Sequence, residues 1–503
     1  MKRLLLILLI TTVGISQLLA FGQSERDDES LRLAMSGNPD TLDPQATPGT
    51  LTFQVTRSIY DTLVEPDVDG EIVPALAASW EADDDATVWT FHLREGVRFH
   101  HGADLSADDV VATFERMLDE EFASPNADEL GPIENIQAID DHTVRITLGE
   151  PYAPLLASLA SSWSAILPAD LVEEEHDFGA VPVGTGPFRF REWVQDSRIV
   201  LDRHDGYWMD GAPQIGGVVF FIIEEPSVQL QGLLTGDFDV IDTVQPESLD
   251  RVREHPETRL DETLSSLAMV LSMNTRREPL DSVDVRRAIT HAVNKEQVLD
   301  IAYGGGEVGG TFMDTGDVYH RDFSDRYPYD PDAARELLAG ADADVGRTLT
   351  IAVPQNYEAH VNAGQLYQQM LEDVGLDVEL KLVEWSTWLS DVYGDGDFDL
   401  TVIGHTGKLD PEGRLGDLTS ERFYTGWQNA EFNELVRAAR RTADVEERQE
   451  LYAEALEILA EEVPMVFTGT NYRYIGLRRH VRDFHMDGKL DTYDFRRVHF
   501  LNE

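Results

Sequence analysis

The chain of 503 residues contains no cysteine. Disulfides, thiol nucleophiles and cysteine-based metal sites are therefore excluded. A chain of this length buries a large core without such staples, and roughly two or three domains are expected. Basic residues are scarce, with 40 Lys and Arg against 94 Asp and Glu and a net charge of −54. That balance argues against nucleic acid or an anionic membrane as partner. The acids are spread along the chain, as in "EADDDATVW" and "DLVEEEHDF", and a hydrophobic content of 42% argues against disorder. Self-repulsion of this size opposes compaction at low salt, and screening shortens its reach. The composition is that of a protein adapted to high external salt; an acidic exported protein of ordinary habitat is the alternative.

Long apolar runs are also missing, with one exception at the start. Met1-Lys2-Arg3 precedes "LLLILLITTVGISQLLAFGQ". A basic start, an apolar stretch and a small-residue site at Ala20-Phe21-Gly22 predict a secretory signal over residues 1–22. A membrane anchor is the alternative, but the strongly apolar part from Leu4 to Ile10 is short, and Thr, Ser and Gln break up the stretch after it. Without cysteine there is no residue for a lipid anchor at the cleavage point. The expected mature protein is exported and soluble, in the periplasm or outside the cell.

Catalytic signatures are absent too. Neither G-x-S-x-G nor H-E-x-x-H occurs, so hydrolase and zinc-protease chemistry find no carrier. "GGGEVG" at 304–309 fits a dinucleotide fingerprint formally, yet it follows a helical pattern where such a loop must follow a strand. It reads as a flexible loop. "DGDFDL" lacks the glycine that a calcium loop needs at its sixth position. In "FDLTVIGHTGKLD" two residues stand between Gly404 and Gly407, and Leu409 follows Lys408. A phosphate-binding loop needs four residues between its glycines and Ser or Thr after the Lys. No enzyme activity, cofactor or metal site is expected.

The sequence does hold an alternation of strand and helix patterns. "LRLAM" and "TVWTFHLR" alternate as strands, and Val88, Thr90 and His92 share the face opposite Trp89 and Phe91. "LSADDVVATFERML" places Ser106 as N-cap before Val110, Val111, Phe114 and Leu118 at helical spacing. Asp284 is positioned to cap a helix lined by Val285, Ala288, Ile289, Ala292 and Val293. "LTIAV", "AGQLYQQMLEDVG" and "DVELKLVEW" form a strand–helix–strand unit, and "EERQELYAEALEILAEEVP" is the last helix. Such alternation predicts an α/β architecture with α+β parts.

The order of motifs is more specific than any one of them. "NPDTLDPQ", "PALAASWE", "TFHLREGVRFHHG", "GTGPFRF", "GYW", "LLTGDFD" and "NTRREPLDSVDVRRAITHAVNKE" succeed one another along the chain. This series resembles the solute-binding proteins of peptide, dipeptide and nickel ABC importers. The resemblance implies a two-lobed periplasmic-binding-protein-like fold with a hinge and an additional α+β domain. It places lobe I at 23–62, 170–275 and 485–503, the extra domain at 63–169 and lobe II at 276–484. Hinges fall near 275 and 485, and His100-His101 lies in a structural turn. It also implies a small-molecule solute, most simply a peptide, and a membrane permease with its ATPase as partners of a monomer. An oligosaccharide, a nickel chelate, a sensory role alongside a chemoreceptor and, last in order, a secreted hydrolase are the alternatives.

In oligopeptide- and dipeptide-binding relatives an Asp near this loop pairs with the peptide ammonium. The matching position here is Gly407 or Lys408, with Asp410 the nearest carboxylate. The Arg that dipeptide-type relatives use for the carboxylate has no counterpart in "NYEAHVNAG", where His360 stands nearby. Lys408 is expected to favour an anionic group or else to pair with a neighbouring acid. Trp385, Trp388, Tyr424 and Trp427 are candidate aromatic walls, or else core. Thr47, Thr50, His405 and Thr406 complete the candidate ligand-binding set, His405 as a hydrogen-bond partner in preference to a metal ligand.

Overall fold

The computed structural model describes residues 29–501 apart from 69, 84 and 314–316. The expected signal at 1–22 lies outside the described residues. Eleven strands form one large mixed sheet. They are β1 (Ser30–Met35), β2 (Phe188–Val194), β3 (Arg198–Arg203), β4 (Gly217–Ile222), β5 (Val240–Ile241), β6 (Thr258–Met273), β7 (Gly306–Val308), β8 (Leu349–Pro354), β9 (Val378–Val383), β10 (Leu400–His405) and β11 (Met465–Arg478). Their order is β9-β8-β10-β6-β11-β5-β1-β4-β3-β2, with β7 also on β11. β8 runs parallel to β9, and the helix Glu358–Asp373 is their crossover.

The two ends of this sheet build separate cores. At the β1 end Leu31, Leu33, Phe188, Phe220 and Leu477 pack with Tyr493 and Phe495 from the end of the chain. At the β8 end the alternation of strand residues feeds both faces. Met269, Leu271, Ile351 and Val402 enter one core. Ala268, Val270, Ala352 and Ile403 enter another with Phe423, Tyr452 and Phe467. These ends are the two lobes.

The long strands β6 and β11 join them. Thr258–Leu264 pairs with Tyr472–Arg478, and the register breaks between Leu264 and Ala268 before pairing resumes opposite Thr470. A second shift follows between Met269 and Val270, and Gly469, which pairs with Met269, borders it with φ 142°; an added Cβ there would strike Glu307 O of β7. Only glycine permits both that conformation and that approach. The "GGGEVG" segment expected to be a loop is thus partly ordered strand: Gly306–Val308 pairs with Gly469–Asn471, because β11 offers it a free ladder.

A third unit carries its own sheet, ordered Ala77–Ala82, Val88–Leu93, Thr143–Leu148 and Ile133–Asp140. Phe91, Phe99, Phe114 and Val144 fill its core. Its helix Ala107–Leu118 starts with a capping box between Ser106 and Asp109. From that helix Arg116 reaches Asp43 at 2.5 Å and Gln45 at 2.6 Å, fastening the unit to the first lobe. The turn at His100 is structural: His100 Nε2 meets Gly186 O at 3.0 Å and its ring lies edge-on to His204. One capping expectation is corrected. The helix Val283–Ala292 starts after Ser282, and Asp284 lies in its first turn, 3.6 Å from Arg287. Among the described residues no helix is long and apolar enough to cross a membrane.

Candidate functional site

A cavity of about 1230 Å³ opens where the two lobes and the third unit meet. Its floor is the crossing itself, with Ser265 and Leu267 of β6 beside Asn471 and Tyr472 of β11. Ser265 Oγ and Asn471 Oδ1 lie 2.6 Å apart and tie the two strands where their register breaks. The neighbouring Arg473 is held by Asp242 at 2.9 Å and by Asp491, so its charge is spent on the first lobe. The helix Thr50–Thr56 presents Thr50 and Phe53, and the third unit presents Glu129, Tyr152 and Trp163.

The second-lobe wall begins where β10 ends. The loop that mimicked a phosphate cradle brings Thr406, Gly407, Lys408, Leu409 and Asp410 to the cavity. Gly413 lies in the short helix Glu412–Leu418, and a Cβ there would strike Lys408 Cγ at 2.5 Å. The missing side chain lets Lys408 lie across this turn and reach Glu129 Oε1 at 3.2 Å on the third unit. Its charge is therefore engaged by a partly exposed carboxylate of the protein. Asp410 turns inward instead, and Arg448 Nη2 lies 2.7 Å from it in a buried pair. Coupling to Asp410 holds the Arg448 guanidinium firmly charged against the effect of burial.

Glu412 is the least comfortable acid of this wall. Its nearest cation, Arg440, is 3.6 Å away, and its Oε2 is buried without a partner. Burial outweighs Arg440 and pushes its pKa up to about 7. Arg440 also stands 3.4 Å from Glu150 and lies over the Tyr152 ring, while its carbonyl accepts from Ala153 N–H at 2.8 Å. On the far side Lys489 reaches Asp317 at 3.0 Å. Lys408, Arg440 and Lys489 thus each bridge the units that surround the cavity.

Of the candidate ligand-binding residues, Thr50, Thr406, Lys408 and Asp410 line the cavity, and seven are engaged elsewhere. Thr47 is buried and donates to Asp40 at 2.6 Å, stabilising a turn. His360 contacts Tyr303 OH at 3.0 Å, and burial pushes its pKa down to about 4. Trp385 stacks on Trp388 with centroids 5.2 Å apart, and Trp388 Nε1 donates to Thr401 at 2.9 Å inside the second-lobe core. Tyr424 OH sits between Ser272 Oγ at 2.6 Å and His405 Nε2 at 2.7 Å. Loss of water among these rings, with Arg414 nearby, pushes the His405 pKa down to about 3. Trp427 donates to Glu462 at 2.6 Å. Trp385 and Trp388 lie in the short helical segment after β9, and Tyr424 and Trp427 in the turn and loop before the helix Ala430–Arg441, where the pressure to fill the core dominates.

The third-unit wall was invisible in the sequence. Glu129, Tyr152, Ser162 and Trp163 lie more than 240 residues from Lys408, and nothing in their local pattern distinguishes them from ordinary surface and core positions. Among the described residues no group of three or more His, Asp or Glu is arranged to hold a metal ion.

Known proteins share this architecture. Residues 71–423 match the model of the bacterial extracellular solute-binding proteins, family 5 Middle. Di/tripeptide-binding protein 1 of Pseudomonas aeruginosa is 30% identical over 491 residues, covering 90% of this chain and 91% of that protein. The structure of HbpA2 from Haemophilus parasuis superposes with a TM-score of 0.87 at 25% identity, over 94% of this chain and 100% of that one. The periplasmic binding protein DppA from Helicobacter pylori, solved with the peptide STSA, gives a TM-score of 0.74 at 29% identity, over 94% and 98%.

Proposed function

This chain belongs to the bacterial extracellular solute-binding proteins of family 5, and we propose that it captures a short peptide between its lobes and delivers it to an ABC permease. The observation that carries this reading is the cavity of about 1230 Å³ shared by three units. Pockets that hold small ligands are typically about 300–1,000 Å³, so this one has room for several residues of extended chain. The peptide class is supported by the relatives, one of them named for di- and tripeptides and another solved with a peptide.

The hinge is set by the crossing strands. We place it at residues 264–270 and 467–472, where the β6–β11 register breaks twice, ahead of the positions near 275 and 485 that the family pattern suggested. A register break leaves few ladder bonds to resist bending, and Gly469 tolerates backbone angles closed to other residues. A ligand that touches both walls binds the closed state better and so drives closure. In this reading the chain is exported, acts as a monomer, and releases its ligand chemically unchanged.

Isothermal titration with di- to hexapeptides, oligosaccharides and nickel chelates tests the reading, with the mixture analysed afterwards for products. Tight binding of a peptide without product formation is expected. Binding confined to a sugar or chelate, or cleavage of any peptide, would overturn it.

A further inference from the structure

Two buried hydrogen-bond donors in the third-unit wall have no use within the protein. Ser162 and Trp163 open the turn Ser162–Ser164, and both line the cavity. Ser162 is 6% exposed, and its Oγ meets no partner. Trp163 Nε1 is likewise buried and unpartnered. Their neighbours are satisfied: Ser158 Oγ donates to Glu129 O at 2.5 Å, and Ser161 Oγ donates to Ala157 O at 2.9 Å. Proteins pair nearly all such groups, because an unmade buried hydrogen bond carries the full cost of lost water. Two of them on consecutive residues that line a cleft are accounted for if a ligand completes them.

The surroundings narrow the ligand group. Phe53 packs edge-on to Trp163 with ring centroids 6.0 Å apart, giving the spot an apolar wall. Indole N–H is a donor only, so it requires an acceptor. A carboxylate here would lose water and gain only neutral donors, which is unfavourable. An aliphatic side chain would leave both donors unpaired. Building on the peptide reading above, we propose that Ser162 and Trp163 form a side-chain subsite that takes an uncharged acceptor, the amide of a Gln or Asn residue of the bound peptide.

The test uses the full mature chain and tripeptides of Ala carrying Gln, Glu or Leu at each position in turn. At one position the Gln peptide should bind about five- to tenfold more tightly than its Leu and Glu counterparts, the scale of one unpaired donor. Trp163→Phe keeps the ring against Phe53 and removes only the N–H. That variant and Ser162→Ala should each reduce the Gln preference several-fold while leaving affinity for the Leu peptide unchanged. Equal affinities at all positions, or a preference that survives both substitutions, would overturn the subsite and leave the peptide reading intact. Failure of every peptide to bind would overturn that reading and the subsite together.

Discussion

The two walls of the cleft are built on different principles. On the second-lobe wall the charges are mostly committed: Asp410 to Arg448, Lys408 to Glu129, and Arg440 shared between Glu150 and Glu412. On the third-unit wall Ser162 and Trp163 hold neutral donors that nothing in the protein uses. The contrast teaches that a conspicuous charge in a binding cleft can belong to the framework, while recognition falls to groups without charge.

If the first wall is framework, its deepest pair should carry the largest effect. Arg448→Met leaves Asp410 buried and uncompensated, and should lower unfolding stability by about 3–5 kcal/mol in urea titrations. A loss below about 1 kcal/mol would mean that Asp410 finds water or another partner. Glu412 gives the next effect, through pH. Its folded pKa of about 7 lies above the ordinary Glu value, so the folded state binds more protons than the unfolded one. Its contribution is therefore present below the unfolded pKa and lost as pH rises from about 4.5 through about 7, on the order of 3 kcal/mol. Glu412→Gln should remove that share of the fall, read as a flatter stability–pH curve between those limits. A curve unchanged by the substitution would show that Glu412 ionises normally. The surface bridge is smallest. Lys408→Ala breaks a partly exposed pair and should cost at most about 0.5–1 kcal/mol of stability. A larger change in affinity for peptides with an added carboxylate would return Lys408 to the role of anion receptor.

Much of the fold was legible because local chemistry and tertiary structure agree. The Ser106 cap, the alternation of Val88 to Leu93 and the Leu349–Val383 strand–helix–strand unit are set by residues within a few positions of each other. The ordered motifs then identified the family, because their sequence and spacing encode the topology. The site was legible only in part. The loop Thr406–Asp410 could be placed because it ends a recognisable strand. The aromatics Trp385, Trp388, Tyr424 and Trp427 could not be sorted, since a ring suits a ligand wall and a core equally well. Thr47, His360 and His405 were likewise drawn into turns and packing by partners that local pattern does not reveal. Ser162 and Trp163 stand out only by the lack of a partner, and that is a property of three-dimensional packing.

The most direct check is small-angle scattering of the purified chain, paired with titration of the same sample by a bound peptide. Saturation should shrink the radius of gyration as the lobes close about the β6–β11 crossing. A peptide that binds tightly and leaves the profile unchanged would contradict closure around the ligand.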